Sequence, residues 1–470
     1  MAYFLPNKSL SKEVVQLIEQ QLTFTPVQGF NPSKWTRKEA KTIKCYTKVN
    51  DGVDLPYIWS SINFNFCPNI DIDYPMQEMT FTGELRENQI TIMQEVQIQL
   101  DRTGCTTLDL PPGTGKTILG AYIASLYGLL TVVLCNRLTV ARQWVKTFHD
   151  NTDASVYMVG ETSDSDTPNV LICMQERVCK LPREYREQVG LLIIDEAHTL
   201  CTESGVPALL GFTPKYIVVE TATLERDDEM HCIMHSIAGT ESVSREIIKP
   251  FKVIKVLTGV SPDRVMGKNG YTNYAQLVKD TWQNERRQNI IMSIIKDNAN
   301  RKTLVLSSSV EYSKLLCASL LELDITADYL CGNKKSYQDS QVLVGTTGKI
   351  GTGFDPANFC STYKGVPFDL LIMACSIKKY STLQQNVGRI FRCDYPVVYH
   401  IVDEDPIYHR HWNKCEKWYK SKNGEIAGIV DLRTKQEEPE QRRGGFSKEL
   451  IYEVMAKKEL AIRKHNNIKK

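Results

Sequence analysis

The run Leu110-Pro111-Pro112-Gly113-Thr114-Gly115-Lys116-Thr117 has the residue types and spacing to hold a chain of phosphates. Glycines let successive backbone N–H groups point at anionic oxygens, Lys116 reaches the β- and γ-phosphates, and the Thr117 hydroxyl can hold Mg²⁺. Leucine stands where the usual eight-residue pattern begins with glycine. Further along, Leu191–Ile194 runs into Asp195-Glu196-Ala197-His198, an apolar strand that ends in adjacent carboxylates. Asp195 is suited to the Mg²⁺ that bridges β- and γ-oxygens, and Glu196 to orienting or deprotonating the attacking water. His198, taken alone, is more often a packing or hydrogen-bonding residue than a catalyst. A third group is Gln385-Asn386-Val387-Gly388-Arg389-Ile390-Phe391-Arg392. On a helix Arg389 and Arg392 share a face, and two such guanidinium groups can neutralise the charge that develops on a γ-phosphate. In isolation the pair is also what a basic surface helix shows. Together the three groups point to hydrolysis of ATP with Mg²⁺.

These residues need strands and helices to position them. Thr106–Leu110 reads as a strand into the glycine turn, and Thr117–Tyr127 (TILGAYIASLY) as an unbroken helix out of it. Apolar strands follow at Leu130–Cys135, Asn169–Cys173, Leu191–Ile194 and Tyr216–Val219, alternating with helical segments. A second run of the same character begins near Phe251 and includes Thr303–Ser307, Gln341–Gly345, Leu370–Ala374 and Val397–Val402. Such alternation implies parallel sheets covered on both faces. The expected fold class is therefore α/β, with two tandem parallel-sheet domains at 81–250 and 251–432. Residues 1–80, rich in proline and turns, read as a small N-terminal accessory domain. Residues 433–470 read as a polar linker and a basic C-terminal helix at about 447–463, which could grip a duplex arm or simply be solvated.

A chain of 470 residues is too long for one ordinary core. Its net charge of +2 announces no global affinity for nucleic acid, so any such surface must be local. The 14 cysteines offer no C-x₂₋₄-C pair and read as reduced, mostly buried thiols. No signal-like start and no apolar run near the roughly 20 residues that span a bilayer is present. A soluble intracellular protein with no membrane partner is expected.

In order, Leu85-Arg86-Glu87-Asn88-Gln89, the PPGTGKT turn, Asp195-Glu196-Ala197-His198, Thr221-Ala222-Thr223, the Gly351–Asp355 segment and QNVGRIFR resemble the superfamily 2 helicases and translocases. The strings LRENQ, Gln143-Trp144 and TATLERDDEM, and the segment HWNKCEKWYK, resemble most the XPB-like group, which includes phage recombination helicases and helicases of large DNA viruses. By that resemblance both sheet domains are RecA-like and close on ATP between them. The implied cofactor contacts are Gln89 on adenine and Gly113, Thr114, Gly115, Lys116 and Thr117 on phosphates, with Gly353 and Asp355 contributing from the second domain. Thr117 and Asp195 would hold Mg²⁺. Lys116, Asp195, Glu196, Gln385, Arg389 and Arg392 would serve the chemistry, and Thr221, Ala222 and Thr223 would couple it to strand movement. Nucleic acid would cross the top of both domains, with Arg137, Arg142, Thr347 and Lys349 as candidate phosphate contacts.

The leading expectation is an ATP-driven DNA helicase or translocase that remodels branched or duplex DNA in replication, recombination or repair, in host cytoplasm or nucleoid if the source is a virus or phage. A transcription-associated translocase working with a polymerase is the second. A motor subunit whose output is rearrangement of a partner, without strand separation, comes from a different class. Replication, recombination or transcription proteins are the corresponding partners.

Overall fold

Short runs of valine, isoleucine and leucine, bounded by turns, are too apolar to face water on either side, and they form the strands of two fully covered parallel sheets. The computed structural model describes residues 2–27, 41–64, 73–111, 113–161, 168–221, 226, 228–246, 249–267, 270–351 and 354–433. The chain divides into two compact units, Met1–Glu246 and Ile247–Lys470. Among expected features, Ala222, Thr223, Gly353 and the helix and basic tail beyond residue 433 lie outside the described residues.

The first unit opens with β1 (Ala2–Pro6), β2 (Thr23–Phe24), β3 (Ile43–Lys44), β4 (Thr47–Val49) and β5 (Gly52–Pro56). β1, β5 and β4 make a small antiparallel sheet, and β2 pairs with β3. This region does not bury its apolar side chains alone: Leu5, Ile18, Leu22, Leu55 and Trp59 belong to one hydrophobic cluster with Leu192, Ile194, Ile217 and Ile237 of the large sheet and its helices. That sheet comprises β6 (Cys105–Asp109), β7 (Thr131–Cys135), β8 (Val156–Met158), β9 (Val170–Met174), β10 (Leu191–Asp195), β11 (Tyr216–Thr221) and β12 (Val243–Ser244). Its spatial order is β12-β6-β11-β10-β7-β9-β8, parallel throughout. The consequence for function is that β11 separates the strand entering the glycine turn from the strand ending in Asp195. In register, Asp195 lies beside Glu220, and Glu220 beside Leu108.

The second unit contains β13 (Phe251–Leu257), β14 (Thr303–Ser307), β15 (Ala327–Leu330), β16 (Val342–Thr346), β17 (Leu370–Met373), β18 (Val397–Val402) and β19 (Gly424–Asp431). They are ordered β15-β16-β14-β17-β18-β13-β19, again all parallel. Both sheets are thus the parallel α/β sheets that the alternation of strands and helices implies. Each buried valine, leucine or isoleucine contributes about 1.5–3 kcal/mol against exposure, and every side chain of β7, β10, β14 and β17 is buried. A buried ion pair braces the second sheet: Arg287 Nε donates to both oxygens of Asp403, at 3.0 and 2.9 Å, and Nη2 to the Ala374 carbonyl at 2.9 Å. Among the described residues no helix is long and apolar enough to cross a membrane.

Candidate active site

The strand β6 delivers the chain to Leu110, and the helix Lys116–Tyr127 begins directly after the glycine turn. Gly113 and Gly115 have φ of 88° and 87°, the left-handed region in which a side chain is strained. Gly115 is constrained twice over, since a Cβ there would lie 2.5 Å from Gln89 Nε2. Lys116 Nζ donates to the Leu110 carbonyl at 2.7 Å, and Thr114 Oγ1 to the Pro111 carbonyl at 2.7 Å. Gln89, on the helix Glu87–Thr103, is buried and held at both ends of its amide: Oε1 accepts from Arg86 N at 2.9 Å, and Nε2 donates to the Thr114 carbonyl at 3.1 Å. Its contacts are with the turn itself.

Across β11 stands Asp195, whose Oδ2 accepts from Trp144 Nε1 at 2.8 Å. Burial raises the Asp195 carboxyl above its ordinary range and the Glu196 charge adds to this, while the Trp144 bond and the Lys116 ammonium oppose it. Glu196 follows with φ 47° and ψ 48°, a left-handed conformation that redirects the chain at the strand's end and for a non-glycine residue costs on the order of 1–3 kcal/mol. His198 Nδ1 is engaged with Thr221 Oγ1 at 3.2 Å. It also lies 3.4 Å from Glu196 Oε2, but that oxygen makes no hydrogen bond among the described residues. Burial, then the charges of Arg226 and Arg137, push His198 down to about 4, so the ring is neutral at pH 7. It therefore links the carboxylate turn to the end of β11 as a neutral hydrogen-bonding residue. Arg226 supports this corner, donating to the His198 carbonyl and gripping Asp228 at 2.8 and 2.6 Å.

Glu220 went unremarked in the sequence, although a lone acid in the apolar strand YIVVET is a signal. It is fully buried, and neither carboxyl oxygen has a hydrogen-bond partner among the described residues. Burial, and then the Asp195 charge, push its carboxyl well up. Gly120 of the covering helix makes room for it: a Cβ there would sit 2.8 Å from Glu220 Oε1 and 2.5 Å from Trp144 Cη2.

In the second unit the helix carrying Gln385 spans Tyr380–Val387 and then tightens into a 3₁₀ turn, Gly388–Ile390. Arg389 and Arg392 consequently do not share a helix face, which corrects the expectation from spacing. Glycine at 388 weakens the helix, and nearby acceptors take the two guanidinium groups. Arg389 donates to the carbonyls of Gly351 and, at 2.8 Å, Phe354. Arg392 forms a fork on Asp355 at 3.2 and 2.7 Å. Asp355 also accepts from Ala357 N at 2.9 Å. Burial acts to raise its carboxyl, but the Arg392 bond and charge outweigh it and hold Asp355 low. Gln385 is buried against Gly351, with Oε1 at 3.7 Å from a Cβ position there. Thr347 and Lys349 lie on the short helix Thr347–Ile350, and Lys349 Nζ donates to the Gly332 carbonyl at 3.4 Å. Arg137 stands at the N-cap position of the helix Leu138–Asn151 and Arg142 lies on its outer face, both exposed.

The oxygen donors near the glycine turn fit a hard divalent cation, which takes one or two protein oxygens and keeps its remaining places for phosphates and water. Thr117 offers a hydroxyl and Asp195 a carboxylate, and the unpartnered acceptors of Glu220 lie in the same layer. Among the described residues no three His, Cys, Asp or Glu side chains converge on a metal-sized centre.

Residues 82–226 match the family model described as the res subunit of type III restriction enzymes. The protein named "Putative helicase 161L", from Invertebrate iridescent virus 6, is 25% identical over 407 residues, covering 80% of this chain and 89% of that one. "Putative ATP-dependent RNA helicase L396" of Acanthamoeba polyphaga mimivirus is 23% identical over 437 residues, 86% of this chain and 80% of its own. "DNA 3'-5' translocase XPB2" of Sulfurisphaera tokodaii is 24% identical over 178 residues, 36% of this chain and 40% of that one.

Proposed function

We propose that the chain is a superfamily 2 helicase, an enzyme that couples ATP use to nucleic acid, and specifically a DNA helicase or translocase that remodels branched or duplex DNA. The observation that carries the ATP site is the three-strand row in which β6 leads into the glycine turn, β10 ends in Asp195 and Glu196, and β11 lies between them. Lys116 exchanges the Leu110 carbonyl for a phosphate oxygen, which binds ATP with little rearrangement. The hydroxyl of Thr117 and the carboxylate of Asp195 hold Mg²⁺, and Trp144 keeps the Asp195 carboxylate in place. A Mg²⁺ held by these two side chains would supply positive charge against the phosphates. Glu196, turned out of the strand by its left-handed backbone, takes the proton of the attacking water. Arg389, held within the second unit by the Gly351 and Phe354 carbonyls, is the candidate for the arginine-finger role. Because His198 is neutral and bonded to Thr221, displacement around the carboxylates is passed to the end of β11 by a hydrogen bond rather than by charge.

The DNA reading draws on the name of the XPB2 relative, and the mimivirus relative's name favours RNA as the second reading. ATP turnover measured with single-stranded DNA, duplex, a four-way junction and RNA separates them. Strongest stimulation by the junction is expected, and stimulation by RNA alone would replace the DNA reading. The site itself is tested by Glu196→Gln, which should still bind ATP while losing turnover. Failure of that variant to bind nucleotide would show that the two carboxylates do not divide the roles in this way.

A further inference from the structure

Glu220 has no task in this scheme, yet the fold maintains it at a cost. Leaving buried polar oxygens without a hydrogen-bond partner destabilises the fold, and a leucine in the same strand would avoid the loss. Glu220 is 0% exposed, both oxygens lack a donor among the described residues, and the glycine at 120 keeps the space its carboxyl occupies. In-register residues of parallel strands point to the same face, so Glu220 shares the layer of Asp195 beneath the helix Lys116–Tyr127. Gly120 lies one helical turn after Lys116. One of its oxygens, Oε1, is therefore packed against the helix that carries Lys116 and Thr117, one turn beyond Lys116.

We propose that Glu220 is a positioning residue for the divalent cation, its carboxyl accepting hydrogen bonds from water bound to the Mg²⁺ that Thr117 and Asp195 hold. The proposal rests on the ATP site described above. Mg²⁺ gives up its water reluctantly and keeps several molecules when protein-bound, and each is a donor of the kind that Glu220 lacks. Direct ligation is not what the side chains are arranged for, since Asp195, Glu196 and Glu220 do not converge on one metal-sized centre. Outer partners of this type orient the ligands and tune the ion without touching it. One role thus accounts for an acid in an apolar strand, its unpartnered oxygens and the glycine that faces it.

The test is the Mg²⁺ dependence of nucleotide binding by the full chain, read from the fluorescence of mant-ADP, with an EDTA arm. Glu220→Gln and Glu220→Leu should bind mant-ADP in EDTA as the wild type does. The Mg²⁺ concentration giving half of the enhancement should rise about 10-fold or more for leucine, the scale of lost outer-shell partners, and less for glutamine, which keeps one acceptor oxygen. Mn²⁺ affinity from electron paramagnetic resonance should follow the same order. An unchanged midpoint in folded Glu220→Gln overturns the proposal, and so does a leucine variant that melts at or above the wild-type temperature with an unchanged midpoint. If the leucine variant does not fold, glutamine alone decides. Absence of mant-ADP binding by the wild type, with Mg²⁺ or EDTA, would instead remove the ATP site itself.

Discussion

Replacing Trp144 with phenylalanine removes the indole N–H and leaves an aromatic ring against Phe148, whose centroid lies 5.9 Å away. The lost bond, 2.8 Å to Asp195 Oδ2, is made to a buried carboxylate. Hydrogen bonds to charged groups contribute about 1.5–3 kcal/mol, and the smaller ring adds about 1 kcal/mol for the space left in a fully packed position. Destabilisation of about 2.5–4 kcal/mol is expected, or about 5–15 °C in the melting transition of a unit of this size. Calorimetry of the full chain, with the first unit's transition identified by its shift on adding nucleotide, measures it. A second consequence has a fixed sign. The Trp144 bond opposes the burial that raises the Asp195 carboxyl, so without it the acid limb of Mg²⁺-dependent nucleotide binding should move to higher pH. A variant within about 1 kcal/mol of the wild type, with that limb unmoved, would refute the reasoning.

Arg389→Ala should bind nucleotide nearly normally and lose about 10³-fold or more in turnover, the scale of arginine fingers; a defect confined to DNA affinity, with normal hydrolysis at saturating DNA, would assign this turn to the nucleic-acid track instead. For His400, whose Nδ1 lies 2.9 Å from Tyr419 Oη, burial depresses the imidazole to about 3. The unfolded ring accepts a proton near its ordinary value of about 6.5 and the folded ring does not, so the contribution is intact above about 6.5 and declines as pH falls towards 3, at up to about 1.4 kcal/mol per unit. Urea unfolding between pH 7 and 4 should be flatter for His400→Gln than for the wild type, and equal slopes would show that another group titrates.

The glycine turn, the paired carboxylates and most strands are legible in the sequence because each is local: spacing fixes the turn, and an apolar run declares a covered strand. The neutral linking role of His198 is legible in kind but not in partner, since Thr221 reaches it only through the pairing of β10 with β11. Glu220 and Trp144 acquire their meaning the same way, one from register and the other from a helix packed over the sheet. Arg389 and Arg392 mislead because their spacing reads as a helix where tertiary acceptors and a glycine favour a tighter turn. Residues 1–80 read as a separate domain because their turns are visible and their shared core is not.

The place of β13 bears on how the second unit is made. This strand is the first of its sheet to be synthesised, yet its neighbours are β18 and β19, the last two. At about 5–20 residues per second on the ribosome, FKVIKVL waits on the order of ten to thirty seconds for Gly424–Asp431, with both of its edges open. In the first unit β6 likewise waits for the last two strands of its sheet, β11 and β12, but across a shorter stretch of chain, from Asp109 to Tyr216. Open apolar strands recruit one another, and lysines along them discourage this. Lys252 and Lys255, three residues apart and so on opposite faces, interrupt β13, and in the finished sheet Lys255 lies over the Trp412 ring at 5.0 Å. Nascent chains stalled before residue 424 should therefore stay soluble with these lysines and aggregate when both are replaced by valine, which makes the same two residues guardians of the chain during its synthesis.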